Sequence, residues 1–150
     1  MIKQAILQLN KELAELRKFV ALLASEQEFL LHNDTENLLT LSEVKSQAAN
    51  ILMEIGSSRR QSLLADGKDS MESWIGRNAP GSQALWHEIR ELAAQAQQLN
   101  NTNGELIQSR MRNNQQALGV LYNSSKNAAG IYGRDGQANI NSSGRHLGSG

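Results

Sequence analysis

Residues 2–31 read IKQAILQLNKELAELRKFVALLASEQEFLL. Apolar side chains recur along this stretch at steps of four and three residues, at Ile2, Ile6, Leu9, Leu13, Leu16, Val20, Leu23 and Leu30. At position 27, where the series calls for another apolar residue, the sequence has Gln27. A 3.5-residue period kept over about four heptads predicts one long helix, residues 2–32, with a coiled-coil-like seam. Phe19 and Leu22 widen the stripe, so we expect this face to meet more than one partner helix.

A second amphipathic pattern follows a short polar turn at residues 32–35. Its apolar positions are Leu38, Leu41, Val44, Ala48, Ile51, Leu52 and Ile55. They predict a helix over residues 34–64. Asn33 with Glu36 fits a capping box, and Asp34 is the alternative N-cap. Because the connection is tight, the two helices are expected to form an antiparallel hairpin.

A third long helix is predicted over residues 82–122, and whether it is continuous, folds back, pairs with a neighbour or frays without a bound partner stays open. Before it, residues 65–82 indicate a loop with a short helical piece, and Met71, Trp74 and Ile75 in that piece are expected to plug the end of the hairpin. The stripe of the third helix begins at Leu85, Ile89, Leu92, Ala96 and Leu99. Its second half is thin, because Asn and Gln interrupt it, and it shifts toward Ile107, Met111, Leu118 and Leu121.

The composition changes after residue 122. Glycine, serine and asparagine make up 15 of the 28 residues from 123 to 150. Such a segment buries too little apolar surface to offset its ordering entropy, so we expect a flexible tail. The sequence therefore predicts an all-α protein: a helical domain, residues 1–122, made of a long antiparallel hairpin and a third long helix, followed by the tail, residues 123–150.

Charge and composition exclude several classes of protein. Lys plus Arg and Asp plus Glu each number 15 in the 150 residues, so nothing favours nucleic acid or an anionic membrane as partner. The chain has no cysteine, which excludes disulfides, thiol nucleophiles and cysteine zinc sites. The longest apolar run, residues 19–24, is far shorter than the ~20 residues that span a bilayer. We expect a cytoplasmic protein.

Catalytic and metal-binding patterns find little support. His87 and Glu88 lack a second histidine at the next helical turn, so they do not form a zinc-protease helix. A metal site built from His32, His87 and His146 would need three distant segments to converge. No phosphate-binding loop is present. We therefore expect no enzyme, no cofactor and no metal.

The remaining candidate function is binding to other helices. The weakened stripe in the second half of the third helix fits a docking surface left open for another chain's amphipathic helix. An ordinary, frayed end helix is the alternative explanation.

Two sequence motifs resemble a known family. Residues 112–121, RNNQQALGVL, followed by residues 132–137, YGRDGQ, resemble the C-terminal signature of FlgN-type flagellar export chaperones. Residues 41–45, LSEVK, followed by Arg59 and Arg60, are similar to the second helix of that family. The resemblance covers nearly the whole chain in the same order.

The resemblance implies a function and two kinds of partner. Members of this family are small cytosolic helical proteins that bind hook–filament junction proteins, the hook-associated proteins of the FlgK and FlgL type, which we call clients. They keep the client's helical terminus from premature assembly and deliver it to the flagellar type III export gate. Their C-terminal helix binds the client, which corresponds here to residues 95–122. Their tail tyrosine docks on the cytoplasmic domain of the gate.

Individual residues follow from this resemblance. The expected client-binding residues are Leu99, Leu106, Ile107, Met111, Ala117, Leu118 and Leu121. The expected gate-docking residues are Tyr132, Gly133, Asp135 and Gly136. Two rival functions stay open: a self-associating coiled-coil adaptor, and a helical-bundle enzyme or metal carrier. A homo-oligomer is also possible, because a 3.5-residue seam can close within one chain or between two.

Overall fold

The computed structural model describes residues 2–67, 70–112 and 115–131. Within those ranges the chain forms helices and turns, and no strand, so the predicted all-α class is confirmed. The helices are α1 (Ile2–Leu31), α2 (Thr35–Ala65), α3 (Met71–Asn78), a 3-10 turn (Pro80–Ser82), α4 (Gln83–Met111) and α5 (Gln115–Ile131).

The predicted hairpin is formed by α1 and α2. Asp34 is the N-cap of α2, and its carboxylate accepts a hydrogen bond from the backbone N–H of Asn37 at 3.3 Å. The capping box on Asn33 does not form. Asn33 instead adopts a left-handed backbone, with φ of 58°, which asparagine tolerates better than most residues. This conformation reverses the chain between the two helices.

The four long helices form an up-down-up-down bundle. α1 packs against α2 and α4, while α5 packs against α4 and α2 and so lies diagonally across from α1. The backbone oxygen of Leu23 in α1 accepts a hydrogen bond from Asn103 in α4, and Arg17 pairs with Glu88. The contact positions advance in the same direction along both helices, from Arg17 to Leu23 in α1 and from Glu88 to Asn103 in α4. Helix α4 therefore runs parallel to α1.

The third helix, whose continuity the sequence left open, is two helices in the structure. The sequence predicts one helix over residues 82–122, but α4 ends at Met111, and α5 begins at Gln115 and runs back along α4. The predicted start of the tail is also wrong, because residues 123–131 belong to α5. The rest of the predicted tail, residues 132–150, lies outside the described residues.

Burial of apolar side chains explains why the chain folds back after α4. Leu118 and Leu121 of α5 are buried in one cluster with Ile107 of α4 and with Leu30 and Leu38 of the hairpin. A straight helix would carry the two leucines beyond the end of the hairpin, where they would face water. Each buried leucine contributes about 1.5–3 kcal/mol, enough to favour the reversal.

A larger apolar cluster fills the other end of the bundle, where α3 lies. Met71, Trp74 and Ile75 of α3 are buried there, as expected for a plug. They contact the α1 seam, of which Leu9, Leu13, Leu16, Leu23 and Leu30 are all buried in this chain. The seam of α1 is therefore closed largely within the chain.

Candidate functional site

The most distinctive surface of the bundle is the groove between α2 and α4 in which α5 lies. We call it the α5 groove. Of the α5 side chains that the structure describes, two leucines and three small residues are buried in this groove: Leu118, Leu121, Ser124, Ser125 and Ala128. Helices α2 and α4 also bury two large apolar side chains each, Leu38 with Leu52 and Ile89 with Ile107, and they pack several partly buried ones against the core as well. With 17 residues, α5 is the shortest of the four long helices, which makes it the most readily detached.

The apolar contact of α5 is concentrated at one end of the groove. Leu121 is fully buried and Leu118 nearly so, and both belong to a cluster whose floor is Leu30, Leu38 and Ile107. Four partly buried side chains border this cluster: Phe29, Leu106, Met111 and Tyr122. Branched aliphatic side chains form the floor, and a flexible methionine lies at the rim. Such a surface can pack against amphipathic helices of different shapes.

Small polar side chains hold the middle of α5. The hydroxyls of Ser46 and Ser124 lie 3.2 Å apart, and Asn100 Nδ2 donates to the backbone oxygen of Ser125 at 2.9 Å. A Cβ atom added to Gly104 would lie 3.3 Å from Ser125 Oγ. The missing side chain at Gly104 therefore allows α5 to approach α4 closely. A hydrogen-bonded, small-residue contact of this kind is specific but weak.

A buried charge pair lies at the same level of the bundle. Lys45 Nζ donates to both carboxylate oxygens of Glu26, at 3.0 Å and 3.1 Å, and Asn103 Nδ2 donates to Glu26 Oε1 at 2.9 Å. Burial lowers the pKa of Lys45, and the facing Glu26 carboxylate opposes this shift. The remaining oxygen of Asn103, Oδ1, is buried without a partner in the described part of the chain. Such a layer fixes the register of α1, α2 and α4.

The comparison with known families decides the class of protein. The chain matches the family described as FlgN protein over residues 1–140. It belongs to the FlgN family. No curated protein and no solved structure was found to match the chain. Membership of the FlgN family gives the chain a general role as a chaperone of flagellar proteins.

In this FlgN-family chain, most of the predicted client-binding residues come together. Ile107, Leu118 and Leu121 are buried in the apolar cluster of the α5 groove, and Leu106 and Met111 border it. Leu99 is partly buried against the larger cluster at the α3 end. The predicted surface is thus covered by the chain's own α5 rather than open to solvent.

Some predicted residues have no described side chain. Ala117 lies in α5, but its side chain is not among those described. The predicted gate-docking residues Tyr132, Gly133, Asp135 and Gly136 lie outside the described residues, although the family match includes their positions.

Sequence reasoning missed the charged layers of this FlgN-family bundle. Besides the pair of Glu26 and Lys45, Arg59 binds Glu12 through two hydrogen bonds of 2.9 Å and 3.2 Å. The two acids are two heptads apart in α1, and so are the two bases in α2. This matched spacing of opposite charges on two antiparallel helices is the signal that predicts both pairs. The small residues Ser124 and Ser125 were missed because their composition is typical of a tail.

Three other features of the described residues bear on the kind of site. Within residues 2–67, 70–112 and 115–131, no group of three or more His, Asp or Glu side chains is placed to hold a metal ion. None of the described helices is both long and apolar enough to cross a membrane. A groove of about 420 Å³ opens between the beginning of α1 and the end of α2, with Leu9, Met71 and Trp74 in its lining.

Proposed function

We propose that this chain is a cytoplasmic export chaperone that binds the helical termini of flagellar hook-associated proteins of the FlgK and FlgL type. In this proposal it prevents their premature assembly and delivers them to the export gate, where Tyr132 and its neighbours dock. Family membership supports the chaperone role in general. The resemblance of residues 112–121 and 132–137 to the family signature supports the particular partners.

The observation that carries the proposal is the position of α5 in its groove. Among the side chains of α5 that the structure describes, the large buried ones are Leu118 and Leu121. A client helix with leucine or isoleucine at four or five positions of one face would bury more apolar surface on the same floor. At about 25 cal/mol per Å² of apolar surface, that difference favours exchange of α5 for the client.

The exchange also explains how the client is held and released without hydrolysis. Once α5 leaves the groove, its leucines and the neighbouring Leu106 and Met111 become available as a second contact for the client. Binding must displace a helix of the same chain, so part of the gross affinity is lost to that step. We expect micromolar to nanomolar complexes, at about −8 to −12 kcal/mol.

A disulfide that locks α5 tests this proposal in the full chain. The hydroxyls of Ser46 and Ser124 are 3.2 Å apart, so Ser46→Cys with Ser124→Cys brings two thiols within bonding reach. The chain has no other cysteine, so no competing disulfide forms. We expect the oxidised protein to lose binding of a peptide from the terminal helix of a hook-associated protein, and the reduced protein to regain it. Calorimetry measures both states of one variant.

Two results bear on the proposal separately. Equal binding by the oxidised and reduced forms would show that α5 stays in place when the client binds, which rules out the exchange. Failure of both the reduced variant and the unmodified chain to bind any hook-associated peptide would remove the client assignment itself. The single variant Ser46→Cys, treated with the same oxidant, controls for oxidation of other residues.

The rival adaptor function requires a seam on α1 that pairs with a second chain. The five leucines of that seam are buried within this chain, against α2, α3 and α4. The side chain of Ile2 at the end of the seam is 44 % exposed, which is too little surface for a stable dimer. The chaperone function is therefore the one that the geometry supports best.

A further inference from the structure

Helices α3 and α5 contact the same face of α4, one after the other. α5 contacts Asn100 and approaches Gly104 of α4, whereas Glu72 of α3 accepts a hydrogen bond from Trp86 Nε1 at 3.0 Å and pairs with Arg90. Trp86 and Asn100 are 14 residues apart, and so are Arg90 and Gly104. Because 14 residues are two heptads, α3 and α5 lie on one face of α4.

A length of α2 between these two helices is left uncovered by them. Ser124 of α5 lies opposite Ser46 of α2, and α5 runs in the same direction as α2. The last residue of α5, Ile131, therefore lies at the level of Met53. Arg60 is seven residues further along α2, about 10 Å at 1.5 Å per residue. We call this stretch of the groove, which Arg59 and Arg60 face, the arginine gap.

The arginine gap holds two guanidinium groups and one described counter-ion. Arg59 is bound to Glu12 at 2.9 Å and lies 5.0 Å from the centre of the Trp86 ring. A Cβ atom added to Gly56 would lie 3.4 Å from Arg60 Nη1 and 3.6 Å from Arg59 Nη2, so both guanidinium groups border the same small residue. No carboxylate of the described residues lies within 4.0 Å of Arg60.

The partial burial of Arg60 makes an anionic neighbour favourable. Burial lowers the pKa of Arg60, the adjacent positive charge of Arg59 lowers it further, and the carboxylate of Glu12 opposes both effects. Glu12 neutralises Arg59, so one positive charge remains in the gap. A partly desolvated charge without a partner is unfavourable, and a carboxylate at hydrogen-bond distance relieves it.

We propose that the arginine gap binds the segment Tyr132–Gly136 of the same chain, with the carboxylate of Asp135 on the guanidinium of Arg60. Asp135 is the only acidic residue after Glu105. It follows Ile131 by four residues, which span about 13 Å when extended and so cover the 10 Å to Arg60.

A fluorescence experiment on the full chain tests this docking. Because the chain has no cysteine, Gly136→Cys gives a single thiol that can be labelled with bimane, which tryptophan quenches on contact. We expect quenching in this variant, and loss of that quenching when Trp86→Phe or Arg60→Gln is added. Trp74→Phe is the matched control and should leave the quenching unchanged. Bimane on Gly148→Cys should be unquenched.

Three results would overturn the proposal. The first is an unquenched label at position 136, and the second is quenching that survives both Trp86→Phe and Arg60→Gln. The third is quenching that falls on dilution, because that would place the segment on a second copy of the chain. Circular dichroism checks that Arg60→Gln folds. If it does not, Asp135→Asn removes the same ion pair from the other side and should abolish the quenching equally.

Discussion

The Nζ atom of Lys45 lies 3.0 Å and 3.1 Å from the two carboxylate oxygens of Glu26, and neither side chain is accessible to solvent. Asn103 connects the same carboxylate to α4 at 2.9 Å. Three helices thus meet at one buried charge pair. Removing a single partner from such a pair leaves an uncompensated charge in the core.

The variant Lys45→Met is expected to lower the free energy of unfolding by about 3–5 kcal/mol, because the carboxylate of Glu26 stays buried without its cation. Urea denaturation followed by circular dichroism measures the loss. In the double variant Glu26→Leu with Lys45→Met, most of the stability should return. Arg17→Met breaks an exposed pair with Glu88 and should change stability by about 0–1 kcal/mol. If Lys45→Met lowered the free energy of unfolding by only about 0–1 kcal/mol as well, Lys45 and Glu26 would not form a buried charge pair.

Stability should depend on pH through Glu72. Hydrogen bonds from Trp86 and then from Arg90 hold the pKa of Glu72 below its ordinary value of 4.5, although partial burial opposes them. The folded chain therefore keeps this carboxylate ionised at a pH at which the unfolded chain already protonates it. The stabilisation is present above pH 4.5 and is lost as the pH falls through the lower folded-state pKa.

The matching experiment compares melting temperatures across that interval. Glu72→Gln should be less stable than the unmodified chain above pH 4.5, and the difference should shrink as the pH falls. Glu91→Gln alters a carboxylate that is paired with His87 on the surface, and it serves as control. A difference between Glu72→Gln and the unmodified chain that stays constant with pH would show that Glu72 does not titrate in this way.

Two glycines provide a matched test of the close approach between α4 and α5. No described heavy atom lies within 4 Å of a Cβ placed on Gly119, so Gly119→Ala should raise the free energy of unfolding by about 0.5–1 kcal/mol through helix propensity. Gly104→Ala gains the same propensity but meets Ser125 Oγ at 3.3 Å. We expect a smaller gain, or a loss, with faster amide exchange in α5. Equal gains at both positions would argue against the close contact.

Replacement of Tyr132 tests the proposed docking on the export gate. Tyr132→Ala should leave client binding unchanged and weaken binding to the cytoplasmic domain of the gate by about 2 kcal/mol, roughly 30-fold, because a buried aromatic anchor is lost. Calorimetry with the purified gate domain measures this. Ile140→Ala, another apolar truncation in the same region, is the control. If Tyr132→Ala bound the gate domain with unchanged affinity, Tyr132 would not be the docking residue.

The parts of the fold that sequence predicted correctly depend on apolar spacing alone. The seam from Leu9 to Leu30 defined α1, and the pattern beginning at Leu38 defined α2. Met71, Trp74 and Ile75 marked the short helix that plugs the bundle. In α1 and α3 these large side chains also mark the buried face. In α2 the pattern gives the helix but not its face, because Val44 and Ile51 are 46 % and 43 % exposed whereas Ser42 and Lys45 are buried.

The break between α4 and α5 could not be predicted in this way. No proline or glycine stands between Met111 and Gln115, so local propensity favours a continuous helix. The reversal depends on Leu118 and Leu121 reaching Leu30, about 90 residues earlier in the chain, and such a contact leaves no local mark. Most of the residues predicted to bind a client lie together at the α5 groove, and their role stays a prediction. Their covering by α5 required the structure.

Buried charges are the second feature that the spacing of apolar residues does not predict. Glu26 and Lys45 are both expected to face water when each helix is considered alone. Only the pairing of the two helices shows that they neutralise each other. Ser124 and Ser125 are a similar case. Their small size allows close contact with α2 and α4, but the sequence of α5 alone does not show that contact.

The order of the helices along the chain has a consequence during protein synthesis. Helix α5 is made after α1, α2 and α4, which together form its groove. At about 5–20 residues per second, a ribosome needs roughly 1–4 seconds for the 20 residues from Arg112 to Ile131. Leu30, Leu38 and Ile107 precede Leu118 and Leu121 in the sequence, so they leave the exit tunnel first and at that point lack their covering leucines. A client present at that moment would find the floor of the groove uncovered.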